Sequence, residues 1–201
     1  MNPVLVLLVA YLLGAIPFGY VLVRWKTGRD VRGLGSGNIG ATNVLRTTSR
    51  ALGIVTLLLD IGKGFAAVWF ASRATGGSPE WMSAAALAVM AGHAFPVFLK
   101  FHGGKAVASF VGAFLYLAPL ALAASLAVFF VTVAKTRFIS LGSILAAGLF
   151  PFAVWGILRP PEAIVAAAAV AGAFIIWRHR ENIARLRAGT ENVLSLGGKK
   201  G

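Results

Sequence analysis

The sequence contains no cysteine, which excludes disulfide bonds, thiol nucleophiles and cysteine-ligated metal sites. Charged residues are also scarce, at 12% of the chain, whereas a soluble domain of 201 residues needs far more polar surface to cover its core. What is present instead is apolar: 58% of the residues are hydrophobic and the mean hydropathy is +0.82. The apolar residues form long blocks, as required where helices of about 20 residues cross a bilayer about 30 Å thick. We therefore predict a polytopic, all-α transmembrane bundle, with residues 1–201 forming a single transmembrane domain.

Acidic residues are few: there are 6 against 19 basic ones, and the formal net charge is +13. In a soluble protein this balance would suggest a nucleic-acid partner. Basic residues beside apolar spans are, however, expected from membrane orientation and from attraction to anionic lipids. No nucleic-acid-binding motif is present, so the expected partner is the lipid bilayer and not a nucleic acid.

Six apolar regions are visible along the chain. The one at 106–134 has Pro119 near its centre, so it forms either one long tilted helix or two short helices joined near that proline. The first region has no basic residue before it but is followed by Arg24 and Lys26, which favours a retained helix over a cleaved signal peptide. The other five regions lie at 3–23, 51–71, 82–99, 139–157 and 162–177.

The distribution of basic residues favours two helices in 106–134. If this region is a hairpin, connections rich in basic residues alternate with poor ones without exception. If it is one helix, the arginine-rich tail and segment 24–50 fall on opposite sides of the membrane. The pattern therefore predicts seven spans, with the N-terminus outside and the C-terminus in the cytoplasm.

The first motif that can carry chemistry is GSGNIGATNVLR, residues 35–46. Glycines allow backbone amides to approach an anion closely, and a following helix start directs free N–H groups to the same point. Arg46 adds a bidentate donor for phosphate. The alternative is a flexible interhelical loop with ordinary turn chemistry.

The second motif is GHAFPVFLKFHGGK, residues 92–105. Its Gly-Gly-Lys turn combines exposed backbone donors with a cation at the membrane surface. It is not a Walker P-loop, since the spacing differs and no strand precedes it. Lys100 and Lys105 alternatively serve only to orient the chain, and His93 alternatively packs, hydrogen-bonded, inside the bundle.

The third motif is RHRENIAR, residues 178–185, which we interpret as the last helix continuing into water. A solvated basic end explains its arginines but gives no reason for His179 and Asn182. Helical spacing predicts an i,i+4 ion pair between Glu181 and Arg185. The same spacing places three side chains on one face: Arg178, Asn182 and Arg185.

Two smaller features involve pairs of polar residues near or inside spans. Asp60 and Lys63 lie about ten residues into the second span at i,i+3, where ionisable groups usually pair or line a polar cavity. We favour pairing. Ser140 and Ser143 begin the sixth span, where they either donate to a phosphate or cap the helix.

The charge pattern alone places all of these loop motifs on one side of the membrane. Their convergence indicates a site for a phosphorylated, anionic small molecule at the cytoplasmic surface.

Over almost its whole length the chain resembles the bacterial acyl-phosphate:glycerol-3-phosphate acyltransferase family. The resemblance rests on three segments in the family's order: GSGNIGATN at 35–43, GHAFP through GGK at 92–105, and RHRENI at 178–183. One departure is Ala106, where the family pattern has glycine. The resemblance implies seven transmembrane helices in the bacterial inner membrane and an active site that faces the cytoplasm.

The resemblance also implies the reaction. A fatty acyl group passes from acyl phosphate to the 1-hydroxyl of glycerol 3-phosphate, giving 1-acyl-glycerol 3-phosphate and phosphate in the first step of phospholipid synthesis. No metal, cofactor or obligate protein partner is expected. The base is either His179 or a substrate phosphate oxygen, and the resemblance favours the phosphate.

Roles for individual residues follow from the matching motifs. The implied catalytic residues are Ser36, Lys105, His179 and Asn182. The implied substrate-binding residues are Gly35, Gly37, Asn38, Gly40, Thr42, Asn43, Arg46, His93, Gly103, Gly104, Arg178 and Glu181. Lys63 and Ser143, which lie outside these motifs, are further candidates from their polar positions in the second and sixth spans.

The main alternative function is a transporter for a phosphorylated anionic solute. Asp60 and Lys63 within the membrane favour it, but transporters usually place their site near the midplane, and here the polar residues collect at one surface. A basic membrane scaffold is a third possibility, and it predicts that Arg46, Lys105 and Asn182 can be replaced freely.

Overall fold

The computed structural model describes residues 2–194, and this part of the chain is helical and contains no strand. The predicted all-α class is confirmed. Short helical turns follow or connect the main helices at Val31–Gly33, Val97–Leu99 and Val154–Leu158. The α-helices are α1 (Pro3–Ala15), α2 (Phe18–Thr27), α3 (Ala41–Thr47), α4 (Arg50–Ala74), α5 (Pro79–Ala94), α6 (Val107–Leu117), α7 (Pro119–Thr136), α8 (Ile139–Ala153), α9 (Glu162–Arg178) and α10 (Arg180–Arg187).

Five segments of the described chain are long and apolar enough to cross a membrane, and the bent pair α9–α10 makes a sixth. The 11-residue α6 is apolar but shorter. Large apolar side chains such as Leu58, Phe130 and Phe152 are exposed on these helices, which suits contact with lipid tails. The five full-length segments are Pro3–Thr27, Arg50–Ala74, Pro79–Leu99, Pro119–Thr136 and Ile139–Leu158.

The first span is interrupted, which the sequence analysis did not predict. Helix α1 ends at Ala15 and α2 begins at Phe18, with Ile16 in an extended conformation between them. Pro17 causes the interruption, because it has no N–H to donate and disfavours the helical conformation of the preceding residue.

Region 106–134 contains two helices, as the charge pattern predicted. Helix α6 ends at Leu117 and α7 begins at Pro119, a residue type that is well suited to the first turn of a helix. Ala118 has φ −150° and ψ 59°, outside the helical region, so the two helices do not form one continuous rod.

The last helix is bent and does not continue straight into water, so that prediction is wrong. Helices α9 and α10 meet at 55° around His179. Helix α10 is tied to α8 through Glu191, which accepts hydrogen bonds from both and is described below.

The chain forms two compact units, within Met1–Leu117 and Ala118–Gly201. In the first unit, α1 packs on α5 where Gly14 meets the backbone of Val89, and α4 packs on α6 where Gly64 meets the backbone of Ser109. In the second unit, α8 packs on α9 where Gly172 meets the backbone of Ala147. Small residues at these points let helix backbones approach closely, the usual basis of helix association in membranes.

Candidate active site

The first predicted motif forms a loop between α2 and α4, which we call the first glycine loop (Gly35–Arg46). Its centre is the side chain of Asn43, which is 2% exposed. Asn43 Oδ1 accepts a hydrogen bond of 3.0 Å from the Ser36 amide, and Nδ2 donates to the carbonyls of Leu34 at 2.9 Å and Asn38 at 2.8 Å. Asn43 therefore ties residues 34–38 to its own helix, α3.

Backbone conformation explains two of the glycines in this loop. Gly35 has φ +56° and Gly37 has φ +70°, the left-handed region that costs little only for glycine. A Cβ at Gly35 would also collide with Asn43 Oδ1 and with Thr47. Contact with Asn43 and Thr47 therefore explains Gly35, and the approach of the loop amides to an anion stays a prediction.

The loop presents a cation and a hydroxyl outward. Ser36 and Arg46 are exposed, whereas Asn38, Gly40 and Thr42 are partly buried. Gly40 is the N-cap of α3, and the Asn38 side chain accepts a hydrogen bond of 2.8 Å from its amide. Because α3 has only seven residues, its dipole contributes little to binding an anion. The exposed side chains of Ser36 and Arg46 can contribute more.

The second predicted motif forms a turn after α5, which we call the second glycine loop (Gly103–Lys105). The Gly103 amide donates 3.1 Å to the carbonyl of Ala94, and the Gly104 amide donates 3.1 Å to the carbonyl of His93. A Cβ on Gly104 would overlap Nε2 of the His93 ring. The turn is therefore pressed onto the end of α5, and the partly buried Lys105 follows it directly.

A small apolar core joins the first two predicted motifs. It contains Ile39 and Val44 from the first loop and Leu99 from the segment before the second, all at most 6% exposed. Val23 of α2 and Val31 complete it, and Tyr20 and Leu52 pack on its edge. The fold thus brings the first two predicted motifs together within the first compact unit.

Beneath the second glycine loop is a buried charged group that we call the Asp60–Lys63–His93 cluster. Lys63 Nζ lies 2.8 Å from Asp60 Oδ1, and both side chains are 3% exposed, so the predicted pairing is confirmed. His93 Nδ1 lies 3.6 Å from the same Asp60 oxygen. Lys63 also donates 2.8 Å to the carbonyl of Ile16 at the break between α1 and α2.

In the second unit the polar centre is the carboxylate of Glu191, whose side chain is 5% exposed. Oε1 accepts hydrogen bonds from Asn182 Nδ2 at 2.7 Å and from Ser140 Oγ at 3.0 Å, and Oε2 accepts from Arg185 Nε at 2.8 Å. Burial alone would raise the pKa of Glu191, but these hydrogen bonds outweigh it and hold the pKa below its ordinary value of 4.5.

His179 lies at the bend between α9 and α10 and is 3% exposed. Its Nδ1 is 2.8 Å from the carbonyl oxygen of Ile175. Because a carbonyl only accepts hydrogen bonds, Nδ1 carries the proton, and in the neutral ring Nε2 is then an acceptor.

Several predicted contacts in this unit are different in the structure. Arg185 pairs with Glu191 and not with Glu181, because the chain reverses at Gly189 (φ +69°) and Glu191 returns alongside α10. Ser140 and Ser143 lie inside α8, so neither caps it, and Ser143 Oγ donates 3.0 Å to the Ile139 carbonyl. Arg178 lies over Trp177, 5.7 Å from its ring centroid, and Glu181 is exposed.

Glu191 is the residue that the sequence analysis missed. A usable signal existed, because it is one of only six acidic residues in the chain and lies in a strongly basic tail. A carboxylate within such a basic segment commonly has specific basic or amide partners. No three histidine or acidic side chains within residues 2–194 are grouped closely enough to hold a metal ion.

Comparison with protein families finds a match over residues 4–200 to the model described as Glycerol-3-phosphate acyltransferase. A glycerol-3-phosphate acyltransferase of Geobacter sulfurreducens is 47% identical over 192 residues, covering 96% of this chain and 97% of the relative. The corresponding protein of Geotalea daltonii is 44% identical over 193 residues, again covering 96% of this chain and 97% of the relative.

Comparison with solved structures finds two crystal structures of PlsY, an integral membrane glycerol 3-phosphate acyltransferase. The glycerol 3-phosphate form has a TM-score of 0.90 and 36% identity, and it covers 97% of this chain and 96% of that one. The lysophosphatidic acid form has a TM-score of 0.88 and 35% identity, with the same coverage.

Proposed function

Since the chain belongs to the glycerol-3-phosphate acyltransferase family and is an acyltransferase, we propose that it takes its fatty acyl group from acyl phosphate and transfers it to the 1-hydroxyl of glycerol 3-phosphate. The products are 1-acyl-glycerol 3-phosphate (lysophosphatidic acid) and inorganic phosphate, and the reaction begins phospholipid synthesis. Both substrates carry a phosphate, and one also carries an acyl chain that suits a membrane-embedded enzyme.

The observation that supports this proposal best is that the two glycine-containing motifs, residues 35–46 and 92–105, meet in one apolar core. Each motif has a backbone held in place by internal hydrogen bonds and ends on a cation, Arg46 in the first and Lys105 in the second. Cationic side chains beside hydroxyl donors are groups that proteins use to bind phosphate. Both substrates of the proposed reaction carry a phosphate.

The chemical step exchanges one acyl–oxygen bond for another. The 1-hydroxyl oxygen attacks the acyl carbonyl carbon, and the bond from that carbon to the phosphate oxygen breaks. Phosphate leaves with the bonding electrons and takes up the hydroxyl proton through one of its oxygens. Acyl phosphate is already activated, so the protein mainly orients the two anions and stabilises the developing oxyanion.

We assign acyl-phosphate binding mainly to the first glycine loop. The exposed Ser36 hydroxyl supplies a neutral donor, and Thr42 adds a second hydroxyl. Asn43 contributes indirectly, because its side chain holds the loop in shape. Ser143 is proposed as a further donor after its hydroxyl rotates away from the Ile139 carbonyl. Arg46 and Lys105 are assigned to the phosphate of glycerol 3-phosphate.

We assign His179 and Asn182 to the glycerol 3-phosphate hydroxyl region. The Glu191 carboxylate fixes the Asn182 amide so that Nδ2 faces Glu191, and this orients Oδ1 as an acceptor for a hydroxyl hydrogen. The Nδ1–H···O bond of His179 leaves Nε2 able to accept in the neutral ring. With a substrate phosphate oxygen as the base, both side chains orient the hydroxyl and neither is protonated during turnover.

We further propose seven spans in the bacterial inner membrane, with the N-terminus outside and both glycine loops in the cytoplasm. The separate helices α6 and α7 support this count, and the alternation of basic-rich and basic-poor connections supports the orientation. Soluble glycerol 3-phosphate would then reach the active site from the cytoplasm, and the acyl donor would reach it from the bilayer. The transporter alternative loses its main support, because Asp60 and Lys63 pair with each other.

The decisive experiment supplies the purified full-length protein, in detergent, with palmitoyl phosphate and glycerol 3-phosphate. We expect equal amounts of phosphate and 1-acyl-glycerol 3-phosphate, and a loss of about 100-fold or more in kcat/KM for Lys105→Ala and Asn182→Ala. Absence of product from the wild-type protein, or full activity in both variants, contradicts the proposal.

Two controls test the donor and the acceptor. Palmitoyl-coenzyme A replaces the acyl phosphate in one reaction, and a glycerol 3-phosphate analogue without the 1-hydroxyl replaces the acceptor in another. We expect no acylated product from either, and equal turnover with the coenzyme A donor contradicts the donor assignment.

Orientation is tested by labelling single cysteines, which is straightforward because the chain contains none. Asn38→Cys is expected to react with a membrane-impermeant maleimide only in inside-out vesicles. Glu162→Cys, in a connection with little charge, is expected to react only from outside. The reverse pattern overturns the orientation.

A further inference from the structure

The Asp60–Lys63–His93 cluster lies in the apolar part of the first unit, where charged side chains are costly. Replacing a buried ion pair by apolar residues of similar volume is often neutral or stabilising, so stability alone does not account for it. The three side chains differ in what else they touch. Those contacts suggest the purpose of the cluster.

Lys63 connects the cluster to the interruption of the first span. Its ammonium donates 2.8 Å to the Ile16 carbonyl and lies 5.6 Å from the ring centroid of Phe18, the first residue of α2. One turn of α2 contacts the first glycine loop directly, because a Cβ on Gly19 would overlap the carbonyl oxygen of Ile39. Lys63 therefore fixes the start of the helix on which the first loop rests.

His93 connects the cluster to the second glycine loop. Its Nδ1 edge lies 3.6 Å from Asp60, and its Nε2 edge lies against Gly104 with no space for a Cβ. Its carbonyl accepts the Gly104 amide hydrogen bond at 3.1 Å. Both the side chain and the backbone of His93 thus hold the residue that immediately precedes Lys105.

We propose that the Asp60–Lys63–His93 cluster is a positioning group that sets the two glycine loops relative to each other, with Asp60 as the shared link. This inference rests on the proposed function, in which each loop binds a phosphate. It assigns Lys63 and His93 a role through the loops and not by contact with substrate. Phosphates held about 1 Å out of place can cost about 100-fold in rate, so a rigid link between the loops has a catalytic reason to exist.

The first test is the double variant Asp60→Asn/Lys63→Met, which removes both charges together and leaves no unpaired ion. We expect the KM for glycerol 3-phosphate to rise and kcat to fall, so that kcat/KM is about 100-fold lower, with the thermal midpoint little changed. Amide hydrogen exchange should increase in residues 34–46 and 99–106 and nowhere else. The matched control is Ser83→Ala, a buried polar residue on α5 outside the cluster, which should leave KM, kcat and exchange at wild-type values.

Two results overturn the proposal. One is an unchanged KM with unchanged exchange in both loops. The other is a parallel fall in kcat and thermal midpoint with exchange rising throughout the first unit, which indicates a purely structural role. Hydrogen exchange requires no turnover, so it tests the cluster even if the wild-type protein fails to acylate glycerol 3-phosphate and the proposed function falls.

A second test remains available if the double variant does not fold. Gly104→Ala should lower kcat/KM about 100-fold in the wild-type background because its methyl group meets the His93 ring. In a His93→Ala background that space is open, so the same change should cost about threefold or less. Equal costs in the two backgrounds show that His93 does not position Gly104 and overturn the proposal.

Discussion

Asn182 Nδ2 donates a 2.7 Å hydrogen bond to Oε1 of Glu191, nine residues further along the chain. A carboxylate only accepts, so this contact decides which end of the Asn182 amide faces Glu191. Ser140 donates to the same oxygen, and Arg185 donates to the other. One buried carboxylate thereby orients an amide that we assign to substrate, and it links α10 to Ser140 of α8.

Glu191→Gln is expected to lower both stability and activity. A glutamine places an N–H₂ group against donors that now face a carboxylate oxygen, so at least one hydrogen bond is lost. We expect about 1–3 kcal/mol less stability and about 10- to 100-fold lower kcat/KM. Glu162→Gln, an exposed glutamate of the same unit, is the matched control in thermal unfolding and steady-state assays, and it should behave as wild type. Equal effects of the two changes contradict the role of Glu191.

The stabilising effect of Glu191 should depend on pH in one direction. Its pKa is lowered in the folded protein, so its contribution is fully present above the ordinary value of 4.5 and is lost as the pH falls through the lowered pKa. The difference in thermal midpoint between wild type and Glu191→Gln should therefore be constant near neutral pH and should shrink below about pH 4.5. Measurement in detergent across this range checks it. A difference that grows as the pH falls has the wrong sign.

Ala106→Gly is expected to stabilise the protein. Ala106 has φ +63° and is fully buried between Lys105 and α6, and a left-handed alanine costs about 1–2 kcal/mol. Part of that gain is offset by the greater freedom of glycine in the unfolded chain, which leaves about 0.5–1 kcal/mol. The control is Ala113→Gly within α6, where the loss of helix propensity alone should destabilise by about 1 kcal/mol. Thermal midpoints that fall by the same amount in both variants refute the expectation.

Asn43→Ala should disorder the first glycine loop, because the Ser36 amide and two carbonyls lose their partner. We expect a loss of about 2–4 kcal/mol and a large fall in activity. Asn43→Asp keeps the acceptor for the Ser36 amide but places a second oxygen against the carbonyls of Leu34 and Asn38, so it should be at least as damaging. Chemical or thermal unfolding of both variants measures this. A wild-type-like Asn43→Asp protein would show that the donated bonds do not matter.

Hydropathy and charge were sufficient for much of the fold. Each predicted span corresponds to a helical segment, and the alternation of basic connections correctly divided region 106–134 near Pro119. The sequence analysis did not predict the break at Pro17, and a proline within a span is tolerated in some membrane helices and breaks others. In this chain the Lys63 ammonium bonds the carbonyl at the break, a contact made 47 residues away in sequence.

The contacts of the candidate site were likewise only partly predictable from the sequence. The Asp60–Lys63 pair was predictable because both residues lie one turn apart on a single helix. The contact of His93 with Asp60 and the role of Glu191 were not predictable, because both depend on how separate helices pack. The predicted Glu181–Arg185 pair does not form, because Arg185 pairs with the less exposed carboxylate of Glu191.

The sequence by itself determined the membrane-spanning class, the positions of the apolar helices, and the three polar motifs with their family resemblance. These are properties of composition and short-range spacing, and burial in lipid follows directly from them. Only the tertiary structure decided which polar groups meet: Asn43 with the first loop, His93 with Gly104, and Asn182 with Glu191. A polar group withdrawn from water must find a partner nearby in space, and its neighbours in space are set by helix packing and breaks that no local pattern encodes.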